Sequence, residues 1–158
     1  MGSTKIVFAS DHAALEFKKA LMSSAAEKGC EVINSGKVND EPVDYPAVVN
    51  EALDLFHSSK ADFIVLLCGS GIGVSIAANR DSKIRGFVAL ETEQARMARL
   101  HNHANCLCMG SRFLTIERGI EIMNTFLDTA ADSSERHLDR KSTRLNSSHS
   151  SVSRMPSS

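Results

Sequence analysis

The amino-acid sequence predicts an α/β fold with three layers, in which helices flank a five-stranded parallel sheet. Short apolar runs alternate with longer stretches of helical spacing throughout residues 5–138. Alternation of this kind is typical of a Rossmann-like sheet whose strands are joined by right-handed helical crossovers. The length of 158 residues, with 42% hydrophobic and 23% charged residues, fits a single domain with one core.

Each strand is expected where a run is apolar and rich in β-forming residues, and each helix where apolar residues recur at helical spacing. In chain order, the expected strands are 5–9, 31–35, 63–67, 85–90 and 105–109. The expected helices are 13–28, 45–58, 72–79, 91–101 and 115–129. Such sheets bind ligands at the carboxyl ends of their strands, so the residues that follow each strand are the first candidates for chemistry.

Charge and composition exclude several classes of partner. The formal net charge of −1 provides no general attraction to nucleic acid or to anionic membranes. No apolar run approaches the roughly 20 residues of a membrane span, and the amino terminus leads into the first strand without a secretory leader. We therefore expect a cytoplasmic protein. Its cysteines have no paired CxxC spacing and are expected to be free thiols.

The last twenty residues differ from the rest of the chain. Residues 139–158 contain eight serines and only three apolar residues, so they cannot extend a core. The stretch also resembles the translated read-through of a DNA sequencing adapter, which suggests that it has replaced a native C-terminal segment. We expect a domain at 1–138 followed by a non-native, disordered tail at 139–158.

The turn from Cys68 to Gly73, Cys-Gly-Ser-Gly-Ile-Gly, is the strongest candidate site. It follows an apolar strand and opens a helix, where unhindered backbone amides stabilise an anion or a developing oxyanion. A thiol at such a position is readily deprotonated and can serve as a base. The alternative interpretation is a tight structural turn with an inert cysteine.

Two nucleotide-binding interpretations of this turn are disfavoured. A P-loop requires a lysine and a hydroxyl residue at a spacing that the turn lacks. A dinucleotide site would use Glu91, which lies about 20 residues further along. However, Val74 replaces the third glycine, and the turn follows the third expected strand rather than the first.

Histidines and arginines supply the other candidates. Asp11 and His12 follow the first strand, where Asp11 can cap the next helix and orient the imidazole. His101 and Asn102 close the fourth helix and bring donors and acceptors suited to sugar hydroxyls and proton transfer. Capping roles are the alternative for Asp11, and for His103 capping is favoured.

The remaining polar candidates are assigned by their chemistry. Arg112 and Arg136 can provide the forked donors that phosphate favours. His57 lies at a helix end, and no chemical role is expected for it. Cys106 and Cys108 alternate along a strand, where packing is favoured over coordination, and no residues have metal-ligand spacing on one helix.

Several separated motifs together resemble the ribose-5-phosphate isomerase B family over residues 5–138. They are Ser10-Asp11-His12, Asp44-Tyr45-Pro46, residues 68–79, His101-Asn102, Gly110-Ser111-Arg112 and Glu135-Arg136-His137. The resemblance implies an isomerase that interconverts ribose 5-phosphate and ribulose 5-phosphate in the pentose phosphate pathway. It further implies proton transfer through an enediolate, without a metal or other cofactor.

The resemblance also assigns roles by position. Cys68 would be the base and His101 the acid that opens the furanose ring. The residues expected to contact substrate are Asp11, His12, Tyr45, Gly69, Ser70, Gly71, Ile72, Gly73, Asn102, Arg112, Arg136 and Arg140. Among them, Gly69 to Gly73 would stabilise the enediolate oxygen, and His12 and the arginines would bind phosphate. Ser70 stands where a threonine is frequent, and Arg140 lies in the suspect tail.

The sequence alone determines neither the number of carbons in the substrate nor the oligomeric state. Related proteins isomerise the six-carbon sugars allose 6-phosphate or galactose 6-phosphate, and a noncatalytic phosphosugar-binding module could use the same turn. A binding module needs amides and arginines but has no need of Cys68. The family pattern implies a homodimer, or a dimer of dimers, whose active sites are completed across the subunit interface.

Overall fold

The computed structural model describes residues 3–36 and 45–131. The strands are β1 (Lys5–Ser10), β2 (Glu31–Asn34), β3 (Phe63–Cys68), β4 (Gly86–Val88) and β5 (Cys106–Gly110). The helices are α1 (Leu15–Glu27), α2 (Tyr45–Ser59), α3 (Ile72–Ala78), α4 (Thr92–Asn102) and α5 (Ile116–Asp128). A short 3-10 turn, His12–Ala14, precedes α1. The predicted α/β alternation is confirmed.

The five strands form one parallel sheet in the order β2-β1-β3-β5-β4. The chain places β2 on one side of β1 and then crosses to place β3 on the other, so the direction of strand addition reverses between β1 and β3. Such a reversal is where ligands bind in open α/β sheets. Ser10 pairs with Leu67 and Cys68 pairs with Gly110, so the three central strands end at nearly the same level.

The sheet separates two apolar cores, whereas the composition predicted one. Side chains alternate along each central strand, so that Phe8 and Leu67 face one core while Ala9 and Leu66 face the other. The first core is closed by α1, α4 and α5, and the second by α2 and α3. Because both faces are covered, the strands are continuously apolar, which is the pattern that made them recognisable in the sequence.

Helices α1 and α5 approach each other closely at a glycine. A Cβ atom at Gly119 would overlap the ring of Phe17, which is buried in the core between the two helices. The absence of a side chain at this position therefore allows the helices to pack at short range.

Strand β4 is shorter than the predicted range of 85–90. Its first expected residue, Arg85, bonds through its backbone to Asn105, the residue just before β5. At its other end, the amides of Leu90 and Glu91 donate to the side chain of Gln94, which lies in the first turn of α4. Within the described residues, no helix is long and apolar enough to cross a membrane.

Candidate active site

The turn that joins β3 to α3 surrounds a buried thiol. Cys68 is the last residue of β3 and is 7% exposed. The Gly71 amide donates a hydrogen bond to its Sγ at 3.1 Å, and Gly71 adopts a left-handed conformation with φ of 84°. The amide of Ile72 donates to the hydroxyl of Ser70 at 3.1 Å. The turn thus folds back over the sulfur and fixes its position.

The end of β5 holds this turn in place. The amides of Ser111 and Arg112 donate to the carbonyls of Cys68 and Gly69 at 2.9 and 3.0 Å. A Cβ atom on Gly110 would lie 2.5 Å from the carbonyl carbon of Ser70, far inside contact distance. The sequence motif included Gly110 without giving it a role, although a glycine that ends a strand is a signal of close backbone approach.

Asp11 lies beside Cys68 at the end of β1. Its amide donates to the carbonyl of Leu67 at 3.1 Å, which places the two strand ends side by side. Its Oδ1 accepts a hydrogen bond from the Ala14 amide at 3.1 Å, so the predicted capping role is confirmed. The neighbouring His12 is exposed on the first residue of the 3-10 turn.

Arg112 brings positive charge to the same edge. Its Nε lies 3.1 Å from the point where a Cβ on Gly69 would stand, so the guanidinium lies against the turn. The side chain is exposed. A thiol, a carboxylate, an imidazole, a guanidinium and several backbone amides therefore share the carboxyl edge of the central strands. These groups could bind a small polyhydroxylated anion and transfer a proton.

His101 and Asn102 lie at the opposite edge of the sheet. They are the last two residues of α4. The Asn102 carbonyl accepts a hydrogen bond from Nε of Arg85, which lies just before β4. The five residues of β5 separate this edge from Gly110, a distance of roughly 15 Å at about 3.3 Å per residue. A single chain therefore does not bring His101 to Cys68. The adjacent His103 ends the helix with φ of 51°, as its predicted capping role requires.

Three predicted contacts cannot be located. Tyr45 is the first residue of α2, but its side chain lies outside the described part of the structure. Arg136 and Arg140 lie outside the described residues, as does the predicted tail at 139–158.

The other cysteines form a core cluster rather than a second reactive centre. All four cysteines are free. The sulfurs of Cys106 and Cys108 are 3.6 Å apart, and both residues are fully buried on the face that Cys68 shares. The hydrogen bond with Cys106 and burial raise the pKa of the Cys108 thiol. In the described ranges, no three metal-ligating side chains converge.

Glu91 caps the amino terminus of α4, which is a structural function rather than the ribose contact of a dinucleotide site. Its side chain accepts the amide at the third helical position, and the Gln94 side chain accepts the Glu91 amide in return. This reciprocal capping box explains why an acidic residue follows β4.

Comparison with known proteins agrees with the motifs. A family model described as "Ribose/Galactose Isomerase" matches residues 6–143. Ribose-5-phosphate isomerase B of Escherichia coli is 35% identical over 123 residues, which are 78% of this chain and 83% of that protein. A putative sugar phosphate isomerase of Rickettsia conorii is 33% identical over 145 residues, or 92% of this chain and 97% of the relative.

Solved structures agree in fold. A ribose 5-phosphate isomerase from Thermotoga maritima is 41% identical with a TM-score of 0.85, covering 92% of this chain and 99% of that one. The type B ribose 5-phosphate isomerase of Trypanosoma cruzi is 31% identical with a TM-score of 0.87, covering 94% and 100%. The chain belongs to the ribose/galactose isomerase family.

Proposed function

We propose that the protein interconverts ribose 5-phosphate and ribulose 5-phosphate through an enediolate. The observation that carries this proposal is the buried Cys68 sulfur, which accepts a hydrogen bond from the Gly71 amide at the carboxyl edge of the sheet, where Asp11 follows β1. The names of the relatives from Escherichia coli and Thermotoga maritima support ribose 5-phosphate as the substrate.

Cys68 is the base in this proposal. As a thiolate, its sulfur takes the proton from C2 of the open-chain aldose. The electron pair of that bond forms the C1–C2 double bond, while the π pair of the C1 carbonyl moves onto O1 to give the enediolate. The electron pair of the double bond then takes the proton back from the sulfur at C1, as the hydroxyl proton moves from O2 to O1 and the carbonyl forms at C2. A base must lie within hydrogen-bond reach of the carbon-bound proton, and the Gly71 amide fixes the sulfur for this purpose.

The turn stabilises the charge that develops on the enediolate oxygen. Backbone donors that are fixed before the reaction lower the barrier most effectively when they point at the site of developing charge. The support of the turn by the Ser111 and Arg112 amides provides this fixed geometry. Gly69, Ser70, Gly71, Ile72 and Gly73 are the residues proposed to contribute.

Substrate binding uses the remaining groups at the same edge. Asp11 accepts hydrogen bonds from sugar hydroxyls, while His12 and Arg112 bind the phosphate, whose oxygens match a guanidinium fork. Tyr45, Arg136 and Arg140 keep the substrate contacts that the family resemblance assigns to them.

A second copy of the chain completes the site. His101 would open the furanose ring and Asn102 would hold a hydroxyl, yet both lie at the far edge of the sheet from Cys68. Three exposed apolar side chains border the Cys68 turn: Ile72 is 55% exposed, Ile76 58% and Phe113 64%. We assign these residues to a homodimer interface, because exposed apolar groups around a site mark a docking surface. Pairs of such dimers can also associate.

The thiol chemistry suggests the compartment. The described structure contains four free cysteines, and a reactive thiol persists best under the reducing conditions of the cytoplasm. We therefore place the protein there.

Exchange of the C2 proton in deuterated water tests the function. Wild-type protein is incubated separately with ribose 5-phosphate, allose 6-phosphate and galactose 6-phosphate, because the family also includes galactose isomerases. We expect exchange and turnover with ribose 5-phosphate, and a loss of about 100-fold or more in Cys68→Ala. Cys30→Ala, which removes a thiol remote from the site, serves as the matched control and should retain full activity.

The outcomes separate the competing functions. Exchange only with a six-carbon sugar phosphate would replace the substrate assignment and leave the mechanism intact. Binding of ribose 5-phosphate without exchange in the wild type would indicate a binding module. Undiminished exchange in Cys68→Ala would refute the assigned base.

A further inference from the structure

The end of α4 is held by an arginine that has no place in the proposed chemistry. Arg85 is 9% exposed and lies immediately before β4. Its Nε donates a hydrogen bond of 2.6 Å to the carbonyl of Asn102, the last residue of the helix. The final carbonyls of a helix have no partners within the helix, and a cation at this end also interacts favourably with the helix dipole.

The backbone of Arg85 is itself fixed. Its amide donates to Oδ1 of Asn105 at 2.8 Å, and its carbonyl accepts from the Asn105 amide at 3.1 Å. Nδ2 of Asn105 donates to the carbonyl of Lys83 at 2.9 Å. The Asn105 side chain therefore has its hydrogen bonds within the backbone, and Arg85 projects from a rigid part of the sheet edge.

A second arginine holds the other side of the helix end. Nη1 of Arg99 donates to the carbonyl of Ala104 at 2.7 Å, and the guanidinium stacks over the ring of Phe63 at 4.7 Å. His103, in the left-handed conformation, lies between the two carbonyls that the arginines bind. The segment that follows His101 is thus attached to the protein core on both sides.

Removing these two charged side chains from water costs free energy. Stabilisation of the fold does not by itself account for their presence. Partial burial lowers the pKa of Arg99, because desolvation disfavours the charged guanidinium. Buried charged pairs and contacts seldom stabilise a fold more than apolar residues of similar size would. Charged contacts of this kind instead fix geometry, which matters when the segment that they hold carries functional side chains.

We propose that Arg85 is a positioning residue for the isomerisation, acting through Asn102 and His101. By holding the Asn102 carbonyl, it sets the direction in which both side chains leave the helix end. This inference rests on the proposed function, in which these side chains serve the Cys68 of a second copy. A displacement of about 1 Å in a catalytic group can lower a rate by about 100-fold.

Kinetics of Arg85→Lys and Arg85→Met provide the first test. Lysine keeps the charge but has a methylene where arginine has Nε, so the short bond to Asn102 is lost in both variants. We expect kcat for ribose 5-phosphate to fall about tenfold or more, with KM within about twofold of the wild type. Arg96→Met is the control: it removes an exposed arginine of α4 and should leave kcat and KM unchanged. Unchanged kcat in both Arg85 variants would overturn the proposal.

A double-mutant cycle distinguishes positioning from general loss of structure. If Arg85 acts through the helix end, Arg85→Lys will have little further effect on C2 exchange in a chain that already carries His101→Ala and Asn102→Ala. A merely structural role would reduce exchange by the same factor in both backgrounds, and this result would contradict the proposal. Arg85→Lys carries the test if Arg85→Met does not fold.

A measurement without substrate separates this inference from the proposed function. In spectra of protein with nitrogen-15 in its histidine rings, Arg85→Lys should shift or broaden the His101 signals and leave those of His57 unchanged. If the wild type isomerises no sugar phosphate, the proposed function fails, yet this spectrum still shows whether Arg85 orients His101. Unchanged His101 signals would overturn the positioning role.

Discussion

The two edges of the sheet differ in how accessible their polar side chains are and in how firmly these are held. At the carboxyl edge, glycines and backbone amides surround Cys68, and polar side chains such as Asp11 and Arg112 remain accessible. At the amino edge, Arg85 and Asn105 join strands and helix end with short hydrogen bonds. In the proposed dimer, one chain would therefore supply both an open half-site for substrate and a rigid support for the groups that serve the half-site of its partner.

Complementation between two inactive variants is the most direct test of whether the two edges, from different chains, form one site. Cys68→Ala and His101→Ala, co-expressed with different tags and purified through both, form mixed dimers with one intact site and one doubly defective site. We expect activity to recover from near background to about half of the wild-type value per dimer, because a two-fold assembly contains two equivalent sites.

The same preparation contains its own control. Each variant purified alone as a homodimer should stay near background. Failure of the mixed dimer to recover activity would place both residues in the same site of one chain, whereas full activity of the His101→Ala homodimer would remove His101 from the reaction.

Gly110→Ala should displace the Cys68 turn at the carboxyl edge, because the end of β5 packs directly against it. The new Cβ would meet the carbonyl carbon of Ser70 at 2.5 Å and the Gly69 carbonyl oxygen at 2.7 Å, and both belong to backbone that cannot rotate away. We expect about 1–3 kcal/mol of lost stability and a fall in kcat of about tenfold or more. Urea unfolding and turnover measure the two effects.

Gly29→Ala is the counterpart at the amino edge. Gly29 has φ of +91° with nothing within 4 Å of an added Cβ. The substitution should cost about 1 kcal/mol of backbone strain and leave kcat unchanged. Equal losses of turnover in both variants would show that the tight approach at Gly110 has no special importance for the site.

The smallest expected effect concerns the pair formed by His57 and Asp81 at the amino edge. Nε2 of His57 lies 2.7 Å from Oδ2 of Asp81. Burial raises the pKa of Asp81, but hydrogen bonds from His57 and from the Lys83 amide outweigh it, so the pKa is lowered overall. A carboxylate of this kind stabilises the fold above its unfolded pKa of about 4 and loses that contribution as the pH falls through its folded pKa.

Asp81→Asn should therefore destabilise the protein at pH 7 by less than about 1 kcal/mol, since the pair is partly exposed. The difference in unfolding free energy from the wild type should shrink as the pH falls below about 4. Urea unfolding at several pH values measures it, and turnover at pH 7 should not change. A difference that is constant with pH would show that the pair does not contribute through the Asp81 charge.

Local patterns predicted the elements and the Cys68 turn, because apolar periodicity and glycine spacing are properties of short segments. The separation of His101 from Cys68 follows from the predicted parallel order, because a helix that joins two parallel strands ends at the amino edge of the sheet, but no single motif shows it. The role of Arg85 was missed for a similar reason: its partner Asn102 is 17 positions away and no motif links the two. The crowding at Gly110 likewise arises from strands β3 and β5, which are distant in sequence but adjacent in the sheet.

The division of the interior into two cores has a consequence for mutational studies. Cys68 belongs to the core beneath α2 and α3, whereas α4, which carries His101, packs on the core of the opposite face. In the proposed assembly with shared sites, a cavity introduced beneath α3 would disturb the base proposed for one reaction centre. A cavity of equal size beneath α4 would disturb the ring-opening acid proposed for the other. On this proposal, the two hydrophobic interiors of one subunit would serve two separate chemical events.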